Sequence, residues 1–200
     1  MLRRVAFALA LSLLATAVAA ADPTSRDPMK APAGNYALDP RHAGLIVKIP
    51  HMGGFSHYTM RFNKLEGSFS YDPAAWQSTK VNITIDPKSI DTEDNIFNKT
   101  VAGYFEPDKY PTIQFVSSGL TSDAEGHGQL NGDLTFHGVT KPVTLDVTFN
   151  GSGPGMLGAG TRMGFSGSGT IKRSEFGVTA ARPFAGDMID LLFEVEFVKK

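Results

Sequence analysis

The sequence has no cysteine. That absence rules out disulfides and a thiol nucleophile, so the fold must be held by core packing and by closure of its sheet or barrel. No G-x-S-x-G elbow occurs, so the strand-to-helix serine of many hydrolases is missing too. After the first twenty or so residues no apolar run is long enough to span a bilayer as a helix. No basic block stands out, which argues against nucleic acid as a partner. The chain holds 19 Lys and Arg against 20 Asp and Glu; residues 1–21 take two arginines and no acid, leaving 17 against 20, or about −3.

What is present begins with an export signal. Arg3 and Arg4 precede the short apolar run "VAFALALSLLATAV", and "AVAAA" supplies small residues for cleavage between Ala19 and Ala21. Residues 1–21 therefore read as a cleaved signal peptide. "DPTSRDPMKAPAG" reads as a flexible tether over 22–34, and 35–200 as one domain.

Period-2 alternation then runs almost to the end of the chain. "GLIVKI" sets Leu45, Val47 and Ile49 on one face, "KVNITID" sets Val81, Ile83 and Ile85, and "TIQFVS" sets Ile113 and Phe115. "MRFNKLEGSFSY" offers Met60 and Phe62, then Phe69 and Tyr71 across a turn or bulge. "LNGDLTFHGVTKPVTLDVTFNG" gives two more strands, with its glycines and Thr140-Lys141-Pro142 as the turn, and "RMGFSGSGTIKR" and "MIDLLFEVEFVKK" complete the set. About eight strands joined by Gly, Pro, Asn and Asp predict an all-β fold, an antiparallel barrel in preference to a sandwich because closure removes edges.

One segment breaks the rhythm. "SIDTEDNIFNKTVAGYFEPDKYP" carries Asp91 and Thr92 as N-cap candidates and Phe97, Val101 and Phe105 at i, i+4 and i+8, a short helix over the sheet or a barrel mouth. A weaker helical turn is expected around "HMGGFSHYTM". "GPGMLG" fits G-x-G-x-x-G by letter, but strands on both sides make it a hairpin loop.

His42, His51 and His57 form the only cluster suited to catalysis or metal binding, and their spacing matches no familiar ligand pattern. The plainer expectation is that His42 and His51 bracket the first strand and satisfy groups at its ends. His137 should face solvent by alternation, His127 lies in a Gly-rich turn, and Glu194 and Glu196 mark the wet face of the last strand.

Several stretches in order resemble the YceI-like family of exported, lipocalin-like proteins. They are "YALDPRHAGLIVKIPHMGG" with Asp39, His42 and His51, "IDPKSIDT" with "FEPDKYPTIQFVSS", "GDLTFHGVTKPVTLDVTFNG", "IKRSEFGV" and "DMIDLLFEVEF". The chain departs from the family where Phe97-Asn98-Lys99-Thr100-Val101 replaces Arg-Asp-x-His-Leu, and at Ala43 and Val47. The resemblance implies a periplasmic, eight-stranded antiparallel lipocalin-like barrel with one or two short helices. It would enclose an isoprenoid lipid or isoprenoid quinone, with no other cofactor and no metal, for storage, transport or stress protection. Partners would be that amphiphile, a membrane in transient contact, and a second copy of the chain. Alternation makes Phe62, Phe69, Ile83 and Phe115 inward-facing in the first half of the barrel. In the second half it selects Leu134, Phe136, Leu145, Val147, Phe165, Leu191 and Phe193. These are the candidate ligand contacts. The competing expectation is a hydrolase or isomerase acting on the bound lipid through His42, His51 or His57.

Overall fold

The computed structural model describes residues 24–123, 125–155 and 158–200; the signal-peptide segment lies outside them. Strands β1 (Gly34–His51), β2 (Ser56–Phe62), β3 (Leu65–Tyr71), β4 (Val81–Ile85) and β5 (Ile90–Asp91) precede helix α1 (Asn95–Gly103). Strands β6 (Ile113–Ser122), β7 (His127–Phe136), β8 (Val139–Pro154), β9 (Thr161–Lys172) and β10 (Met188–Lys199) follow it. The ladder runs β10-β9-β8-β7-β6-β4-β3-β1, and β10 pairs back onto β1, so the sheet closes. The long β1 pairs on its other side with β2 over Leu45–His51 and with β3 over Gly34–Ala37. β2 and β3 are thus two halves of one stave, interrupted at Asn63 and Lys64. β4 and the two-residue β5 make another, giving eight staves in all. This is the eight-stranded antiparallel barrel that the alternation predicts.

The chain direction defines two ends. The β1–β2 turn, α1, the β7–β8 turn and the segment between β9 and β10 crowd one end, called here the open end. At the other end Tyr36 stacks on Phe69 at 5.2 Å between ring centroids, and Phe69 meets Phe197 edge-on at 4.8 Å. These large rings, from the neighbouring strands β3, β1 and β10, pack together inside the barrel and close this end. The stretch expected to be a flexible tether is instead a strap across the closed end. Ser25 pairs with Ser152, Ala31 is buried, and the Pro28 and Pro32 carbonyls accept hydrogen bonds of 2.7 Å from the Tyr71 and Tyr36 hydroxyls. These hydrogen bonds between carbonyls and phenols, with the burial of Ala31, hold the strap down.

Other local expectations need correcting. The hairpin turn is His137-Gly138, both with positive φ, as a two-residue turn matched to strand twist requires. Thr140, Lys141 and Pro142 belong to β8 and pair with Thr135, Leu134 and Asp133. His137 is consequently lifted off the alternation. Its Nε2 lies 2.8 Å from the Glu106 carboxylate, its Nδ1 3.2 Å from the Phe176 carbonyl oxygen, and its ring against Tyr110, so it does not face solvent freely. His127 opens β7, outside the turn, with Nδ1 3.0 Å from Thr148 Oγ1. The segment at Met52–Phe55 is a plain turn with no helix. The cap of α1 is Asp94, whose carboxylate accepts from the Ile96 and Phe97 amides; the helix ends at Gly103, so Phe105 packs from the turn beyond it.

Candidate functional site

Alternation along each stave turns one row of side chains inward, and the rows leave two adjoining spaces. The lower one, of about 190 Å³, is walled by Phe69, Ile83, Phe115, Leu145, Phe165 and Phe193 among others, and the single hydroxyl-bearing aliphatic side chain on its wall is Thr79. Thr79 is buried, and its Oγ1 is the one buried side-chain polar atom without a partner among the described residues. The upper space, of about 480 Å³, lies beneath α1 and is walled by Phe62, Phe97, Val101, Phe105, Phe136 and Phe184 together with aliphatic residues. Leu45, Ile85, Leu134 and Leu191 belong to both walls and form a collar between the chambers. Small-molecule sites commonly measure roughly 300–1,000 Å³, so the upper chamber alone reaches that range and the lower extends it.

The eleven residues selected from the sequence all stand on these walls. Phe62 and Phe136 face the upper chamber, Leu134 and Leu191 the collar, and Phe69, Ile83, Phe115, Leu145, Val147, Phe165 and Phe193 the lower chamber.

The lower chamber stays open because its large side chains lie back against glycine. Phe193 pairs directly with Gly167, and its ring covers the place where a Cβ at 167 would stand. A Cβ on Gly169 would stand 2.6 Å from Leu145 Cδ2, and one on Gly132 2.6 Å from the Phe115 ring. Side chains that recline into missing Cβ positions leave the axis of the barrel free. A Phe pointing straight inward would fill it.

The open end is organised by a residue that alternation does not find. Arg173, 3 % exposed, donates from Nε to the Gly186 carbonyl (2.7 Å), from one terminal nitrogen to Val178 (3.2 Å) and Ala180 (2.6 Å), and from the other to Ala185 (2.9 Å). Burial draws its pKa down, and the nearby Asp187 charge opposes that. One guanidinium thus fixes the segment 178–186, which supplies Val178, Ala180, Ala181 and Phe184 to the upper wall. Its position just after a strand gives no signal except the motif "IKRSEFGV" in which it sits. Asn98, a departure from the family pattern, anchors α1: its Oδ1 accepts from the Thr92 amide (2.6 Å) and hydroxyl (2.7 Å), and its amide donates to Asp91 (3.1 Å).

The structure does not assemble the three histidines. His42 sits in the β1 bulge on the outer wall, where Nδ1 is 2.9 Å from Asp39 Oδ2. His51 borders the upper chamber, and His57 is exposed on β2, opposite Pro50. His42 and His51 stand nine positions apart on β1, about 30 Å along the strand. Histidines 42, 51 and 57 cannot act on one substrate atom, and no metal-binding group of three or more His, Asp or Glu side chains occurs among the described residues. His42 belongs to a polar cluster on the outer wall. Asp39 Oδ2 also accepts from Arg162 (2.7 Å), which reaches Glu196 at 2.8 Å, so the cluster clamps the bulge to β9 and β10. The bonds from His42 first, then Arg162, hold the Asp39 carboxyl well below the usual carboxylate range.

A closed antiparallel barrel with an apolar lumen, one sealed end and one helix-covered end defines a lipocalin-like binding protein. The YceI-like domain model matches residues 36–197, so the chain belongs to the YceI-like family. A UPF0312 protein of Vibrio cholerae is 34% identical over 177 residues, which cover 86% of this chain and 92% of that one. Among solved structures, Burkholderia cenocepacia BcnA superposes with a TM-score of 0.70 at 26% identity, covering 80% of this chain and 98% of that one. A polyisoprenoid binding domain from Saccharophagus degradans shares the fold at 16% identity, with a TM-score of 0.61 over 82% of this chain and 98% of that one.

Proposed function

We propose that the protein is exported to the periplasm, where it encloses one isoprenoid lipid, a polyprenyl chain or an isoprenoid quinone, for storage, transport or stress protection, without covalent chemistry. The observation that carries this reading is the pair of adjoining chambers walled almost wholly by hydrocarbon, closed below and joined at the Leu45, Ile85, Leu134 and Leu191 collar. A long, thin tail suits that shape, running through the collar toward the Tyr36 and Phe69 stack. A head group would then rest at the open end, beside His51, Tyr58 and Tyr104. The ligand-bearing name of the Saccharophagus domain agrees with this choice of ligand class. Keeping each methylene out of water is worth about 0.8 kcal/mol, so such a ligand never travels free. Transfer from a bilayer gains little of that, and selectivity must come from the shape of the lumen. Transient contact with a membrane is the natural route of exchange.

Protein purified from its native periplasm, extracted into organic solvent and analysed by mass spectrometry should yield one isoprenoid lipid per chain. Empty protein that takes up neither decaprenol nor ubiquinone from detergent micelles would refute the proposal.

A further inference from the structure

Among the described residues, the phenylalanines that stand exposed are Phe55, Phe97 and Phe184. They come from three segments far apart in sequence: the β1–β2 turn, the first turn of α1, and the stretch between β9 and β10. All three segments meet at the open end. The Met52 amide donates to the Phe184 carbonyl at 2.8 Å, Phe97 meets Tyr58 edge-on at 5.7 Å, and Phe97 and Phe184 both border the upper chamber. Met52 and Ile96 join them, and the exposures run from 39 % for Phe97 and 44 % for Met52 to 81 % for Ile96 and 89 % for Phe55. Among the described residues, the closed end shows only Met29 of comparable size and exposure.

We infer that this apolar rim docks on a phospholipid bilayer, with Phe55, Ile96 and Phe184 among the acyl chains, so that ligand passes between membrane and lumen without crossing water. The passage of ligand rests on the lumen function proposed above; the docking does not. Three observations select a bilayer as the occupant. The rim is continuous with the mouth of the upper chamber, and an apolar ligand avoids water only where that mouth faces lipid. A stable protein interface engages roughly 20–30 residues a side, whereas here five apolar side chains project from three narrow segments, separated by exposed Ser56, His57, Asn95 and Arg182. A fluid bilayer accommodates such separate projections, and a second copy of the chain does not. Finally, the rim carries no basic excess: Lys99 is outnumbered by Glu93 and Asp94 on the same segment, and Arg182 pairs with Asp187 at 3.0 Å. Docking therefore depends on apolar insertion and not on anionic head groups.

Flotation of the exported protein with vesicles of phosphatidylcholine alone tests this, at low and at high salt. The protein should float in both, and Phe55→Ser with Ile96→Ser should lower the partition by at least about tenfold. Both side chains are exposed, so the urea midpoint and the uptake of decaprenol from detergent micelles should be unchanged. The inference falls if the protein stays behind, floats only with anionic lipid, or floats equally well as the double variant. It also falls if sedimentation shows a dimer that the double variant abolishes. Flotation with no micellar uptake would leave the docking surface standing and remove the lumen function.

Discussion

Gly169 offers a direct test of whether the lower chamber is empty space that matters. Its φ lies outside the left-handed region, so alanine fits the backbone there. A new Cβ would stand 2.6 Å from Leu145 Cδ2, and the nearest backbone atom, the Thr144 carbonyl oxygen, is 3.6 Å away. The clash is therefore with the far end of one flexible side chain, which has the lumen to move into. Gly→Ala also restricts the unfolded chain, worth about 0.4–1 kcal/mol in favour of the fold, against about the same for repacking Leu145. Stability in urea should change by less than about 1 kcal/mol. Affinity should fall: displacing one methylene of ligand costs about 0.8 kcal/mol, roughly fourfold in Kd. Gly167→Ala is the contrast, since its Cβ would meet the Asp146 carbonyl oxygen at 2.6 Å as well as the Phe193 ring. Backbone cannot swing aside, and about 1–3 kcal/mol should be lost. Titration with a fluorescent prenol and urea unfolding measure the two quantities on each variant. If Gly169→Ala loses 2 kcal/mol or more, by the same scale, with unchanged affinity, Leu145 had no free space to enter and the chamber is packed core.

Two further perturbations address the scaffold. Arg173→Lys keeps the charge but cannot span four carbonyls, so it should cost about 3 kcal/mol. It should also speed amide exchange selectively over 178–186, and uniform exchange across the chain would contradict the anchoring role. Asp39→Asn should cost about 1–2 kcal/mol at neutral pH. The folded carboxyl is held below its unfolded value, so its contribution is complete above about pH 4 and is lost as the pH falls below that. The variant should therefore show a shallower acid loss of stability between about pH 4 and 2 than the wild type, and parallel curves would refute the clamp.

Period-2 alternation by itself determined the staves and their inward rows, because a strand side chain has only two faces to choose between. That is why all eleven positions chosen from sequence stand on the chamber walls, from Phe62 on β2 to Phe193 on β10. Alternation is a property of neighbours along one strand, and it stops at any residue with positive φ. Alternation misplaces His137 for that reason: the two-residue turn at His137-Gly138 rotates it out of phase and against Glu106. Arg173 was invisible for a related reason, since a guanidinium is buried only when carbonyls from a distant loop converge on it. Whether the inward rows fill the barrel or line a hollow was likewise a matter of tertiary structure. It turns on Phe193, Leu145 and Phe115 lying over glycines of adjacent strands, and strand register, which no single strand encodes, puts those pairs side by side.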